Sequence, residues 1–140
     1  MKELNYMLPN EILALSKYRL DKAKEEFATS KLLYENGIYS KSLNCSYYSI
    51  FHATRALLAY DQFDSKKHSG IISFFIKNYI ASKILNQELG KIILDAEDFR
   101  HDADYMDFYI VSSEDAKTQI DKSSLFIETI EKYILEHKNK

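Results

Sequence analysis

Apolar and small residues recur at spacings of three and four along almost the whole chain, and this pattern limits the fold more than any other feature. It is clearest near the end of the chain, at Ala116, Ile120, Ser123, Ile127, Ile130 and Ile134. Sheet-rich folds need many tight turns, which usually contain glycine or proline. The 140 residues include only three glycines and one proline, so the sequence predicts an all-α protein.

Five helices can be placed from the periodicity and the capping residues. The first starts near Pro9, with Asn10 as its N-cap, and stops at Gly37. Its stripe consists of Leu13, Leu20, Phe27 and Tyr34, with the small residues Ser16, Ala23 and Ser30 between them. Small residues at this spacing would let a neighbouring helix approach closely.

The other four helices follow in order. The second runs from a cap at Ser40 to about Tyr60, and the third covers residues 68–79. The fourth carries an apolar stripe over residues 85–103, and the fifth follows the capping sequence at residues 112–115. We expect an up-and-down antiparallel bundle of about five helices, with residues 1–140 forming a single domain.

Charge and hydropathy restrict the function classes. The net charge is −2, so the chain as a whole does not attract nucleic acid. Residues 84–115 contain nine acidic side chains against two basic ones, whereas residues 15–41 contain six basic against four acidic. Cys45 is the single cysteine and cannot form an internal disulfide. No apolar run reaches the roughly 18 residues of a membrane span, and we expect a cytoplasmic protein without metal or cofactor.

The second predicted helix carries one polar face. Asn44, Tyr48, His52 and Arg55 are spaced by four, four and three residues, which places them on the same side. An arginine in an apolar helix needs a partner, because an unpaired buried charge is costly. Two interpretations follow: Arg55 pairs with a carboxylate, expected to be Asp104 or Asp102, or Arg55 and His52 contact phosphate or RNA.

Two other segments could carry chemistry. At the end of the fourth helix stands Arg100-His101-Asp102-Ala103-Asp104-Tyr105. Its arginine and histidine are either there because the helix dipole favours basic residues at a C-terminus, or they form an arginine-centred polar site. At the start of the third helix stands Lys66-Lys67-His68-Ser69-Gly70, which is either a solvated turn or an anion site. Nucleophile-elbow, paired-histidine and dinucleotide-loop motifs are absent from the sequence.

Several separated motifs, in a fixed order, resemble one branch of the HEPN family of small helical domains. Residues 47–58, YYSIFHATRALL, are similar to its YYAxFHAxRALL signature. Lys67 with His68-Ser69-Gly70 resembles its KxHSG element, and Arg100 with Ala103-Asp104-Tyr105 resembles its RxxADY element. Gly37, Tyr39 and Asn44 resemble its lead-in, so that the likeness extends over about residues 15–135.

This resemblance implies a helical bundle that forms a homodimer. It also implies a minimal nucleotidyltransferase as partner, in a toxin–antitoxin or defence module. Active members of the family are metal-independent RNases that have an arginine, four to six residues and then a histidine that acts as acid or base. Here Arg100 is followed after four residues by Tyr105, and His101 is too close to replace the missing histidine. A phenol with a pKa near ~10 is a poor general base at neutral pH.

Three functions remain open from the sequence. The first is a homodimeric binding or regulatory partner of a minimal nucleotidyltransferase that contacts RNA or nucleotide. The second is a metal-independent RNase that uses Arg100 and Tyr105, with His52 or His101. The third is a small-ligand or nucleotide-binding module that uses the face of Tyr48, His52 and Arg55. The aromatic stretch Tyr105, Met106, Phe108 and Tyr109 is expected to lie in the dimer interface.

Overall fold

The computed structural model describes residues 7–138, and within that range it contains five α-helices and no strand. They are α1 (Pro9–Glu35), α2 (Tyr39–Leu58), α3 (His68–Phe75), α4 (Gln87–Tyr105) and α5 (Ser113–His137). A 3₁₀ turn, Ala59–Asp61, follows α2, and a π-helical turn, Ile76–Ile80, continues α3. The prediction of an all-α bundle of about five helices is confirmed.

The N-cap of the first helix lies two residues earlier than predicted. Leu8 is its N-cap and Pro9 its first helical residue, so the assignment of Asn10 as N-cap was wrong. Proline fits the first helical position because its missing N–H would have no partner there. The carboxylate of Glu11 accepts a hydrogen bond from the Leu8 N–H at 2.8 Å. At the other end Gly37 has φ +76°, a conformation that suits glycine and stops the helix as predicted.

The remaining boundaries shift by a few residues. Helix α2 begins at Tyr39, ahead of the predicted cap at Ser40. Helix α4 is capped by Asn86, whose side chain accepts from the Glu88 N–H at 2.8 Å. Helix α5 is capped as predicted, because Ser112 Oγ accepts from the Asp115 N–H at 3.0 Å. Helix α4 also continues to Tyr105, so the whole RxxADY element is helical.

Small residues line the contact between α1 and α2. Ser16 Oγ donates to the carbonyl of Ala56 at 2.8 Å, and Ser30 Oγ donates to the carbonyl of Ser42 at 2.7 Å. Ser42 Oγ returns a bond to the Ser30 carbonyl at 2.8 Å. Such side chain–backbone bonds require close helix axes, and the predicted role of the small residues is confirmed.

Helix α2 is the centre of the bundle and packs against α1, α4 and α5. The largest fully buried side chains are Leu43, Tyr47, Ile50, Thr54, Leu57, Leu58, Ile71, Phe75, Ile93, Phe126 and Ile130, together with Ser30. Among residues 7–138 no helix is long and apolar enough to cross a membrane. One side of α2 is covered by the connection at residues 62–67 and by the start of α3, and it is only half-buried.

Candidate functional site

The polar face predicted on α2 is present. Asn44, Tyr48, His52 and Arg55 are all half-buried, whereas most of their neighbours on α2 are fully buried. The rings of Tyr48 and His52 lie 6.1 Å apart between centroids. The start of α3 and the last turns of α4 approach this face, so that two clusters form along it.

The first cluster is centred on Asp64. Arg55 Nη2 donates to Asp64 Oδ2 at 3.0 Å, so the expected pairing of Arg55 with Asp104 or Asp102 was wrong. Asp104 instead forms an ion pair with Arg100, one helical turn away on α4, with Nη1 and Oδ2 3.1 Å apart. The connection after α2 folds back against the helix and brings Asp64 to Arg55. The ion pair is partly exposed, with 26% of the Arg55 side chain accessible to solvent.

A second arginine, which the sequence interpretation missed, shares the same carboxylate. Arg19 of α1 is buried, and its guanidinium donates to Asp64 Oδ2 at 3.4 Å and to the carbonyl of Arg55 at 3.1 Å. Burial, followed by the charge of Arg55, lowers the pKa of Arg19 to about 10. Arg19 lies three residues after Ser16 and four before Ala23, on the small-residue stripe, and this spacing was the available signal.

The second cluster is built around His68, the first residue of α3. Its ring stacks on Phe51 at 4.1 Å between centroids. The Tyr47 hydroxyl and His68 Nδ1 are 2.9 Å apart and share a hydrogen bond. Burial, with the neighbouring carboxylate of Glu97, raises the pKa of Tyr47 far above its ordinary value, so Tyr47 remains a phenol. Lys67, the N-cap of α3, is exposed and outside this stack.

Arg100 of α4 joins the second cluster from the other side. Its guanidinium lies 4.8 Å from the centroid of the Tyr47 ring and donates to Glu97 at 2.8 Å. Burial alone would lower the pKa of Arg100, but Glu97 outweighs it and the net shift is upward. Arg100 Nε is buried and has no hydrogen-bond partner among residues 7–138. The arginine is therefore fixed, with donor capacity left over.

Tyr105 and His101 lie outside this cluster. The Tyr105 side chain is exposed, with 71% of the residue accessible, and its ring is 4.8 Å from that of His101. The His101 side chain is 61% exposed. His68, by contrast, is influenced by the charge of Arg100. Burial, followed by the positive charge of Arg100, lowers the pKa of His68. Residues 68 and 100 are too far apart in the chain for any local pattern to predict this.

His52 provides a pH-dependent contribution to stability. Burial, followed by the charges of Lys22, Arg55, Arg19 and His68, lowers the pKa of His52 from 6.5 to about 4. Below pH 6.5 the unfolded chain binds a proton that the folded chain does not, so stability falls as the pH drops from 6.5 to about 4.

We expect this loss to be about 1–2 kcal/mol, after allowance for the partial exposure of the ring. Urea unfolding of the wild type and of His52→Gln, measured at pH 7.5 and pH 4.5, checks it. The stability difference between the two proteins should move by this amount in favour of His52→Gln at the lower pH. Parallel pH profiles for the two proteins would contradict the expectation.

Comparison with known proteins agrees with this architecture. The profile of the HEPN domain family matches residues 16–133. A candidate toxin of Methanocaldococcus jannaschii is 31% identical over 133 residues, which cover 95% of this chain and 96% of that protein. A second candidate toxin of the same organism is 31% identical over 83% of this chain and 79% of its own length. A UPF0332 protein of Thermotoga maritima is 30% identical, with 89% and 95% covered.

The match includes α2, α3 and α4 entirely and most of α1 and α5, and the resemblance seen in the sequence motifs is confirmed. The FHAxRALL helix and the arginine of the RxxADY element both lie within the matched residues. This chain belongs to the HEPN family.

Proposed function

We propose that the chain is the HEPN component of a toxin–antitoxin-like pair. In this proposal a homodimer binds a minimal nucleotidyltransferase in the cytoplasm and contacts RNA or nucleotide, and residues 1–140 act as one domain. The two candidate toxins of M. jannaschii, each 31% identical, support the toxin–antitoxin context. The HEPN motifs support the nucleotidyltransferase as partner.

The exposed segment at residues 105–110 is the observation that carries the proposal. Tyr105 is 71% accessible, Met106 54%, Phe108 100% and Ile110 87%. A run of large apolar side chains this exposed is unusual in a protein without a partner. Phe108 also has φ +61°, a sparsely populated conformation for a bulky residue, and such strain is concentrated at binding and switch segments. We assign this segment to the interface with the second copy.

The geometry around Arg100, in the second cluster, supports binding of RNA or nucleotide over its cleavage. Its guanidinium is fixed by Glu97 at 2.8 Å and Asp104 at 3.1 Å, and guanidinium forks bind phosphate oxygens. The position at which active HEPN members have their histidine is occupied by exposed Tyr105. A phosphate contact without an acid–base partner is suited to binding RNA or nucleotide.

One observation favours the alternative function, a metal-independent RNase that uses Arg100 and its neighbours. His68 is hydrogen-bonded to Tyr47, and the Tyr47 ring lies against Arg100. The lowered pKa of His68 keeps it neutral at pH 7, which is the state that a general base needs. The cleavage experiment described in the Discussion separates the two functions.

The test of the proposed function is the mass of the protein alone and of the pair. Light scattering at micromolar concentration should give twice the 16.4 kDa of one chain. Phe108→Asp should give monomers, because a charge at the centre of an apolar interface opposes its burial. Co-expression with a minimal nucleotidyltransferase encoded beside it should yield a co-purifying complex.

Leu32→Asp is the matched control, because Leu32 of α1 is 59% accessible and lies outside the segment. It should leave the mass unchanged. A monomeric wild type, or equal effects of Phe108→Asp and Leu32→Asp, would overturn the assignment of the interface. Failure to co-purify with the nucleotidyltransferase would overturn the assignment of the partner.

A further inference from the structure

A cleft of about 400 Å³ opens beside the Asp64 cluster, between α2, the connection at residues 62–67 and the start of α3. It is lined by Phe51, Arg55, Asp64, Ser65, Lys66 and His68. Its volume lies in the range of small-ligand sites, and its lining combines one apolar ring with several polar groups. None of residues 105–110 lines it, so it is separate from the proposed dimer interface.

The cleft has an excess of positive charge. Two guanidinium groups, those of Arg19 and Arg55, share the single carboxylate of Asp64. Lys66 lies exposed at the edge of the cleft, and no ion pair within residues 7–138 involves it. Asp64 is thus more than neutralised, and a cation is left on the wall of the cleft and another at its edge.

The lowered pKa of His52 also indicates a positive electrostatic potential beside the cleft. After burial, the causes of its lowered pKa are four basic groups, Lys22, Arg55, Arg19 and His68, and no carboxylate stands among them. His52 Nδ1 is buried and has no hydrogen-bond partner in the described part of the chain. A region in which the cations of α1 and α2 reinforce one another attracts anions.

The turn before α3 closes one side of the cleft. Ser65 Oγ accepts from the Lys67 N–H at 3.2 Å, and a Cβ on Gly70 would collide with that same oxygen. Glycine at position 70 therefore lets the turn fold tightly over the first residues of α3. Helix α3 has no side-chain cap, and its positive end adds to the field at Lys66 and His68.

We propose that this cleft binds the phosphate monoester of a nucleotide, free or at an RNA end, through Arg55 and Lys66. Arg55 presents a planar fork to the phosphate oxygens, and Lys66 supplies a second charge from the edge. Arg19 does not line the cleft; it positions Asp64 and so holds Arg55 in place. This phosphate contact is additional to the one proposed for Arg100, and it requires neither the dimer nor the nucleotidyltransferase.

The test compares ligands that differ only in the phosphate. Full-length protein is titrated with AMP and adenosine by calorimetry, and with a short ribo-oligonucleotide carrying a 5′-phosphate or a 5′-hydroxyl by fluorescence anisotropy. We expect at least one phosphorylated ligand to bind about tenfold more tightly than its unphosphorylated partner. Preference for AMP alone identifies a free nucleotide as the ligand, and preference for the 5′-phosphorylated RNA identifies an RNA end.

Lys66→Glu should reduce the phosphate-dependent affinity about tenfold or more. Lys132→Glu is the matched control, since it changes the net charge equally at an exposed residue of α5 that does not line the cleft. Both lysines are exposed, so neither change threatens the fold. No preference for phosphate in either ligand pair, or equal losses in the two variants, would overturn the proposal. Because neither variant alters residues 105–110, the dimer mass remains an independent readout.

Discussion

Asp64→Ala is expected to lower the free energy of unfolding by about 2–4 kcal/mol. The carboxylate neutralises Arg19 and Arg55 together, at 3.4 and 3.0 Å. Without it the Arg19 guanidinium, whose side chain is only 8% exposed, would face a second positive charge in a largely dry environment. Breaking a buried pair costs about 3–5 kcal/mol, and the 27% exposure of Asp64 reduces that figure. Urea unfolding monitored by circular dichroism measures the change.

Asp21→Ala provides the comparison, because the same substitution there removes an exposed ion pair with Lys17. Surface pairs one helical turn apart contribute about 0.3–0.5 kcal/mol, so the control should hardly change stability. Adding Arg19→Met to Asp64→Ala should recover part of the loss, because it removes the charge that lost its partner. Equal effects of Asp64→Ala and Asp21→Ala would show that the Asp64 cluster does not stabilise the bundle.

The helices could be predicted because their signals are local. The three-and-four spacing of α5 and the cap at Ser112 involve neighbours within a few residues, and both are present in the structure. The caps of α1 and α2 were misplaced, where polar residues just inside the helix resembled N-caps. The π-helical turn after α3 arises where the helix meets α4: a Cβ on Gly90 would lie 3.0 Å from Ile80. Such tertiary contacts leave no local pattern.

The polar face of α2 could be predicted from the sequence, but the residues that pair with it could not. The α2 stripe of Asn44, Tyr48, His52 and Arg55 follows from helical spacing alone. The Arg19–Asp64 contact joins residues 45 positions apart and depends on how the connection after α2 folds back. Arg55 was expected to pair with Asp104 or Asp102, although the pairing of Arg100 with Asp104 follows the local i,i+4 rule. A distant pairing was expected where a local one was available.

An RNA cleavage assay tests whether the protein binds RNA without cutting it, as the proposed function requires. We expect the purified chain to show no robust cleavage of structured or single-stranded RNA. Residues 84–115 carry nine acidic side chains against two basic ones, which weakens RNA binding near Arg100 unless the partner chain supplies positive charge. Tyr105 stands where active HEPN members have the histidine that transfers the proton, and a phenol is a poor general base at neutral pH.

Tyr105→His should raise the cleavage rate, because it places an imidazole at the spacing of active HEPN members. General acid–base help is typically worth about 10²–10⁴-fold, which sets the upper range of the gain if the dimer juxtaposes the two motifs. Tyr18→His makes the same replacement at a residue of α1 that is 62% exposed, and it should have no effect. Adding Arg100→Ala to Tyr105→His should abolish the gain, since the phosphate contact is lost.

Robust cleavage by the wild type that disappears in Arg100→Ala would instead support the RNase alternative. The same preparations then identify the base. His68 lies against Phe51 and is bonded to Tyr47, beside Arg100, whereas His101 is largely exposed next to Tyr105. Loss of cleavage in His68→Gln, with activity kept in His101→Gln, would assign proton transfer to His68. The catalytic histidine would then come from the start of α3, 32 positions before the arginine that it serves.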